Sequence, residues 1–358
     1  MTTTSPTPGI DLLPFERLAH RGKVRRLRRL ARRALDEYGL GDARFTLLRH
    51  AAWGTTFRVD VASPRGRYVL RVHGPDVTNV AEARSELLWL AALRRDTDLG
   101  VPEPVTTPDG ALAVTVRTEG VPGPRDCVLL RWLEGSFFSH HAGLRTIHQV
   151  GQFMARLHLH AERFAPPPGF TRRRMNPDDA LRDWSPEVLG EGGLSTAAVA
   201  TAVGAAQRLH DEARTLTPTP ATFGLIHADL HLSNLLVHHG TVRAIDFGDC
   251  AFGYFAYDIA VWLVALAKTG WSDQEEKRAA FFAGYGSVRP LPPDQATQID
   301  HCMAWRRLED LDWDAETVDH PRFRAWLSTG LPELIRALRR YADGAQMDAT
   351  SEPYRPHP

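Results

Sequence analysis

Residues 225–249 read LIHADLHLSNLLVHHGTVRAIDFGD. Leu225-Ile226 and Leu235-Leu236-Val237 are short apolar runs of the kind that form buried strands. The polar stretch between them is therefore a loop held by anchored chain at both ends. His238-His239-Gly240 reads as a hairpin turn, and TVRAI returns as a second strand that delivers Asp246 at its tip. Asp229 is a candidate acceptor for a hydroxyl proton. Asn234, five positions on, offers a neutral oxygen to a hard cation, and Asp246 offers a carboxylate to the same ion. Turn capping accounts for one aspartate, but not for three polar groups at these spacings around a literal Asp-Phe-Gly. The set matches what phosphoryl transfer from a Mg²⁺-bound nucleotide requires. Zinc is the competing reading of His227 and His231, which are four apart. The segment is not helical, however, and it has neither an HExxH glutamate nor a third ligand. His227 is expected to orient the loop through hydrogen bonds.

Working outward, FTLLRHA (45–51), TTFRVDVA (55–62) and GRYVLRVHG (66–74) are rich in β-branched and aromatic residues and are separated by turn signals, which predicts an antiparallel meander. A helical period follows over 79–95, and then ALAVTVRT (111–118) and DCVLLRWLEG (126–135) complete a small sheet. From residue 143 onward the pattern is largely helical: a segment starting near 143, then 196–215, 256–269, 273–285, 296–312 and 331–342. Residues 166–194, rich in Pro, Gly and Arg, read as a loop or insertion. Strands first and helices afterwards give an α+β protein with segregated lobes. The expected organisation is a tail and helix over 1–41, a sheet-based lobe over 42–131, a helical lobe over 132–345 and a tail over 346–358.

The chain has 358 residues, 43% of them hydrophobic, with 43 basic and 43 acidic side chains. This is an ordinary globular balance, with no global field to steer it to nucleic acid or membrane. A local excess of arginine over residues 21–33 is interleaved with apolar residues at helical spacing and reads as a solvated basic helix face. Three widely spaced cysteines give no disulfide framework, the N-terminus lacks an apolar signal core, and no run of 18 apolar residues spans a bilayer. The expected compartment is a reducing cytoplasm.

HADLHLSN, AIDFGD and the trailing GYFAYDIAVWL resemble the aminoglycoside phosphotransferase family, a branch of the protein-kinase-like fold. The branch containing homoserine kinase-like and stress-response-kinase-like proteins is the nearest in pattern. The resemblance covers roughly residues 42–310. It implies a two-lobed fold with a small antiparallel-sheet lobe and a larger helical lobe. It also implies ATP as co-substrate (GTP the alternative), Mg²⁺, and a small-molecule hydroxyl as acceptor. Residue by residue it implies Asp229 as catalytic base, Asn234 and Asp246 as metal ligands, Asp249 as a nearby second acid, and Asp258 as the aspartate tying the following helix to the catalytic loop.

The first lobe departs from the protein-kinase pattern. GxGxxG is missing, and the turn AAWGTTFRVD carries only Gly54, with backbone N–H groups and the hydroxyls of Thr55 and Thr56 as candidate phosphate contacts. No lysine occurs between residues 24 and 267. Arg71 stands where the family has its VxK lysine and offers a permanently charged, bidentate fork to phosphate. Glu86 on the next helix is its best partner, with Glu82 the runner-up. Backbone from Leu130 to Trp132 is expected to take the adenine edge. For the acceptor, Asp310, Asp312, Asp314 and Glu316 suit a cationic amine or are a solvated acidic turn. Arg172, Arg173 and Arg174 suit an anion or face water. The absence of a recognisable activation loop after DFGD weighs against the protein Ser/Thr kinase alternative. A non-catalytic nucleotide-binding scaffold is the other alternative, favoured by the missing lysine and opposed by the intact Asp229, Asn234 and Asp246.

Overall fold

Strict alternation in the first strands decides what each face of the first sheet carries. In the computed structural model, residues 13–51, 53–62, 65–75, 80–139, 142–176, 186–191, 194–214, 216–269, 271–291, 295–316 and 330–347 are described. The chain divides into two units. One comprises the residues up to Ala91, Pro102–Leu133 and Pro168–Thr171; the other comprises Ala92–Val101, Glu134–Pro167 and the residues from Arg172 onward.

The first unit is built on β1 (Arg44–Ala51), β2 (Gly54–Ala62), β3 (Arg65–His73), β4 (Pro104–Val105), β5 (Ala113–Val116) and β6 (Arg125–Arg131). The strand order is β1-β2-β3-β6-β4, with β5 also paired to β6 and every pairing antiparallel. Phe57, Val59, Leu70, Val72, Cys127 and Leu129 alternate onto one face and form one core with Leu27, Leu30, Ala31, Ala34 and Leu35 of α1 (His20–Glu37). Each buried leucine there contributes about 1.5–3 kcal/mol of transfer free energy. Because the side-chain period is two, Arg71 between Leu70 and Val72 is turned to the opposite face. α2 (Val80–Asp96) follows the meander.

The arginines of α1 have structural partners. Arg26 donates to Gly120 O and Leu13 O at 2.8 and 2.7 Å, Arg32 to Ala43 O at 2.8 Å and also to Gly41 O, and Arg33 to Arg117 O at 2.8 Å. Arg32 also lies over the Phe45 ring at 4.7 Å. The basic excess is therefore partly consumed in tying loop carbonyls to the helix. The solvated basic face expected from sequence forms in part: Arg21, Arg25, Arg28, Arg29 and Arg33 are exposed, while Arg26 is buried against loop carbonyls that need donors.

The second unit contains α3 (Leu144–Arg163), α4 (Pro186–Glu191), α5 (Thr196–Ala213), α6 (Phe255–Ala267), α7 (Gln274–Val288), α8 (Gln295–Glu316) and α9 (Leu331–Ala342). It also holds β7 (Ser136–Phe137) in a sheet ordered β10-β9-β7, with β9 at Leu235–His238 and β10 at Thr241–Ala244. A separate antiparallel ribbon pairs β8 (Phe223–Ile226) with β11 (Ala251–Tyr254). α6 is buried along nearly its whole length, as its uniformly apolar sequence requires. α3 and α7 approach closely at two glycines. A Cβ on Gly151 would strike the backbone of Phe281 and Tyr285, and one on Gly284 would strike the backbone of His148. The stretch expected as an insertion carries the short α4. The strand expected over 111–118 is reduced to β5, and the helix expected over 296–312 extends to Glu316. No helix is long and apolar enough to cross a membrane among the described residues.

Candidate active site

The loop after β8 is held by a buried carboxylate. Asp258, fully buried in the first turn of α6, accepts the N–H groups of His227 at 3.0 Å and Ala228 at 2.8 Å. Ala228 has φ 67°, a left-handed conformation that costs a non-glycine residue about 1 kcal/mol or more; the two charge-assisted bonds offset it. His158 Nε2 lies 3.1 Å from the same carboxylate, and its Nδ1 is 2.8 Å from the Tyr285 hydroxyl. Burial pushes the His158 imidazole down, against the Asp258 bond and charge, so a neutral ring donating through Nε2 fits both contacts. The tie from α6 to the loop expected of Asp258 is made by these bonds. His227 Nε2 reaches Ile245 O at 3.0 Å, joining the loop to the end of β10.

Asp229 is the centre of the polar cluster. Asn234 Nδ2 donates to Asp229 O at 2.8 Å and Asp229 Oδ2 at 3.1 Å, and His231 Nε2 is 3.3 Å from Oδ2. The other oxygen, Oδ1, accepts from Arg306 Nη1 at 3.2 Å. Burial alone would raise the Asp229 carboxyl. The His231 hydrogen bond and charge, followed by Arg306 and His227, outweigh it and hold the group at about 2. Asp229 is thus a carboxylate across the physiological range, with both oxygens oriented.

Asn234 and Asp246 are brought together by the hairpin. Leu235 pairs with Ala244, and Ile245 N–H donates to Asn234 O at 2.9 Å, so residues 234 and 246 leave the same end of β9–β10. Asp246 has φ 63° and ψ 63°, a strained conformation that re-aims the chain where the strand ends. Burial and the negative charge of Asp229, countered by Arg173 and augmented by Asp246, push the Asp249 carboxyl up.

The donor set fits a hard divalent cation. With its Nδ2 directed at Asp229, Asn234 has an amide oxygen that could face a metal, and Asp246 could add a carboxylate. Mg²⁺ prefers one or two protein oxygens, phosphate oxygens and water. The zinc reading of His227 and His231 fails on the same geometry. Nδ1 of His227 accepts from Asp229 N–H at 3.3 Å and Nδ1 of His231 from Ser233 N–H at 3.2 Å. Among the described residues no three His, Cys, Asp or Glu side chains group as a metal site.

In the first unit, Arg71 Nη1 and Nη2 meet Glu86 Oε1 and Oε2 at 2.8 and 3.0 Å. Glu86 is 1% exposed and Arg71 16%. Thr56 is the cross-strand partner of Arg71 and shares its face. Thr55 does not: it is buried on the core side and its hydroxyl lies 2.7 Å from His50 Nδ1. A hydroxyl contact from Thr55 to phosphate is therefore corrected, because the pleat sends alternate side chains to opposite faces. Gly54 pairs with His73, and a Cβ there would sit 3.0 Å from Val72 O. Leu130 pairs with Val69 and Pro104. The N–H of Arg131 goes to Glu103 O at 2.8 Å and that of Trp132 to Arg67 O at 2.9 Å, while the Trp132 ring lies under Arg67 at 5.4 Å. Adenine recognition through these two N–H groups is ruled out by that pairing.

The substrate-side readings change more. Arg172 is buried and clamps the loop after Asp246, donating to Cys250 O and Gly248 O at 2.5 Å each. Arg174 lies over the Phe223 ring at 4.6 Å. Of the three arginines, Arg173 is an exposed one near Asp249. Asp310 is not an unpaired anion awaiting an amine: Lys268 Nζ at 2.6 Å and Arg306 Nε at 2.9 Å compensate it. The side chains of Asp312, Asp314 and Glu316 lie outside the described set. Sequence reasoning missed Arg306 and Lys268. The i,i+4 spacing of Arg306 and Asp310 was visible, but it is equally at home on a solvated helix.

A model of the phosphotransferase enzyme family matches residues 45–296. The chain belongs to the phosphotransferase enzyme family. Among curated relatives, an amicoumacin kinase of Bacillus subtilis (strain 168) is 33% identical over 95 residues, 25% of this chain; the match spans 28% of that relative's length. Among solved structures, a microcompartment-associated aminopropanol kinase is 29% identical with a TM-score of 0.77, covering 90% of this chain and 99% of its own. An amicoumacin kinase in complex with AMP-PNP, Ca²⁺ and Ami is 17% identical with a TM-score of 0.73, covering 93% and 98%. A choline kinase from Cryptosporidium parvum Iowa II is 14% identical with a TM-score of 0.55, covering 87% and 94%. The family's protein-kinase-like α+β fold is thus the fold of this chain, as the element order predicts.

Proposed function

We propose that this family member transfers the γ-phosphoryl group of ATP to a hydroxyl of a small molecule, with Asp229 as the base. The carrying observation is the division of labour between Asp229 and Asn234. The amide nitrogen of Asn234 fixes the carboxylate and leaves its oxygen for a cation. Asn234 and Asp246 would hold Mg²⁺, which supplies positive charge to the nucleotide phosphates. Asp229 accepts the proton of the acceptor hydroxyl as its oxygen bonds to the γ-phosphorus and the bond to the β–γ bridging oxygen breaks, releasing ADP. Arg71, braced by Glu86, offers its permanent charge to phosphate in the role that a lysine fills in relatives.

The name of the aminopropanol kinase relative puts amino alcohols first among acceptors, followed by aminoglycosides and hydroxyl-bearing amino acids. The test is ADP release across that panel with Mg·ATP, set beside D229N. A compound-dependent rate that D229N loses supports the reading. No rate with any compound, or an undiminished rate in D229N, overturns it.

A further inference from the structure

We infer that Arg306 is a positioning residue for this transfer, reaching the proposed base from a helix far along the chain. The inference rests on the reading of Asp229 as base. Arg306 lies in the middle of α8, between Trp305 and Arg307, which are 1% and 2% exposed, so its backbone sits on a packed element. Its guanidinium spans two carboxylates: Nη1 to Asp229 Oδ1 at 3.2 Å and Nε to Asp310 Oδ1 at 2.9 Å. The second oxygen of Asp310 is held in turn by Lys268, the residue that caps the C-terminal end of α6, at 2.6 Å. Lys268 is one of only three lysines in the chain.

The series Lys268, Asp310, Arg306 and Asp229 alternates in sign and sums to zero, so partly buried charges compensate one another. It also completes the constraint on Asp229. Asn234 and His231 grip Oδ2 from the loop, and Arg306 grips Oδ1 from α8. With both oxygens bound from different elements, rotation of the carboxylate about its Cβ–Cγ bond is opposed at each end. A lysine, with three rotatable donors on one nitrogen, would hold the two carboxylates less rigidly. Its ammonium is a single point, whereas the planar guanidinium presents fixed donors to two acceptors at once. Orientation of a reacting group is worth a great deal: a misplacement of about 1 Å costs on the order of a hundredfold in rate.

The experiment compares R306M, R306K and the charge-balanced pair R306Q/D310N, by crystal structure and by steady-state kinetics with whichever acceptor the panel yields. The expected result for R306M is an Asp229 carboxylate rotated away from the 3.1 Å contact with Asn234, with kcat falling on the order of 10- to 100-fold and KM for ATP within about twofold. R306K should recover part of the rate, since it restores charge at one carboxylate. Should R306M fail to fold, the paired variant removes one charge of each sign and carries the same expectation. An Asp229 that stays in place, or a kcat within about threefold of the parent, overturns the inference. If the parent protein phosphorylates nothing, the functional reading has failed, and the crystal structures still decide whether Arg306 sets the position of Asp229.

Discussion

Arg71 meets Glu86 through two parallel hydrogen bonds of 2.8 and 3.0 Å, joining a strand to the following helix in a stretch of chain that holds no lysine. The pair is bidentate, and Glu86 is 1% exposed. R71M leaves that carboxylate buried without its fork. We expect a loss of about 2–4 kcal/mol in urea unfolding, slightly under the range for an unpaired buried charge because Arg71 retains some exposure. R71M/E86L should recover most of the stability while KM for ATP stays raised by about tenfold or more. Recovery of both together would show that Arg71 serves the fold alone.

Removing the amide that faces the proposed metal should change the ion requirement before anything else. N234A deletes the oxygen assigned to the cation and the donor to Asp229 in one step. The Mg²⁺ concentration giving half-maximal rate should rise about 10- to 100-fold, at least what outer partners of metal sites contribute. An unchanged Mg²⁺ dependence at reduced kcat would assign Asn234 to orienting Asp229 and nothing more.

Asp258 is the acceptor for two loop N–H groups and for His158. D258N turns one of its oxygens into a donor facing an N–H or the ring. The expected cost is about 2–3 kcal/mol, the penalty of leaving buried donors unmatched. Hydrogen exchange at His227 and Ala228 should accelerate in the variant; protection equal to the parent's would show that the carboxylate is dispensable there.

Stability near neutral pH should carry a burden at Asp300. Burial pushes its carboxyl up to about 6, opposed by the Met347 N–H bond of 2.6 Å and by Arg208 and Arg278. A carboxyl raised in the folded state favours the protonated form. Its contribution is fully present below the ordinary carboxylate range and is lost as pH rises through about 6. D300N keeps an oxygen for Met347 N–H and has no charge to bury. It should raise Tm by a few degrees at pH 7.5, with the advantage shrinking as pH falls toward 4. A pH-independent difference in Tm would refute the assignment.

Gly284 and Gly151 mark the close crossing of α3 and α7. G284A places a methyl against the backbone of His148, where no flexible side chain can yield. A destabilisation of about 3 kcal/mol or more is expected in thermal unfolding, at the upper end of overpacking costs. G286A, where a Cβ would meet nothing within 4 Å, is the control and should be neutral or slightly stabilising.

What the sequence alone determined lies where chemistry and local pattern coincide. The loop from His227 to Asn234, the hairpin returning to Asp246 and the strand carrying Arg71 are set by short-range periodicity and turn residues, whereas the tie at Asp258, some 30 residues from the loop it holds, was expected only from the family resemblance. Spacing along a hairpin dictates proximity, and alternation dictates the face. Tertiary structure decided the rest. Thr55 fell to the core side of its strand, the N–H groups of Arg131 and Trp132 were taken by neighbouring chain, and Arg172 became a clamp rather than a substrate contact. Arg306, 77 residues beyond Asp229, arrived at the same carboxylate. Local pattern carries no information about such an encounter, because a buried ion pair and a solvated one have the same letters. Only the packing of α8 against the rest of its unit fixes which carboxylates its arginine meets.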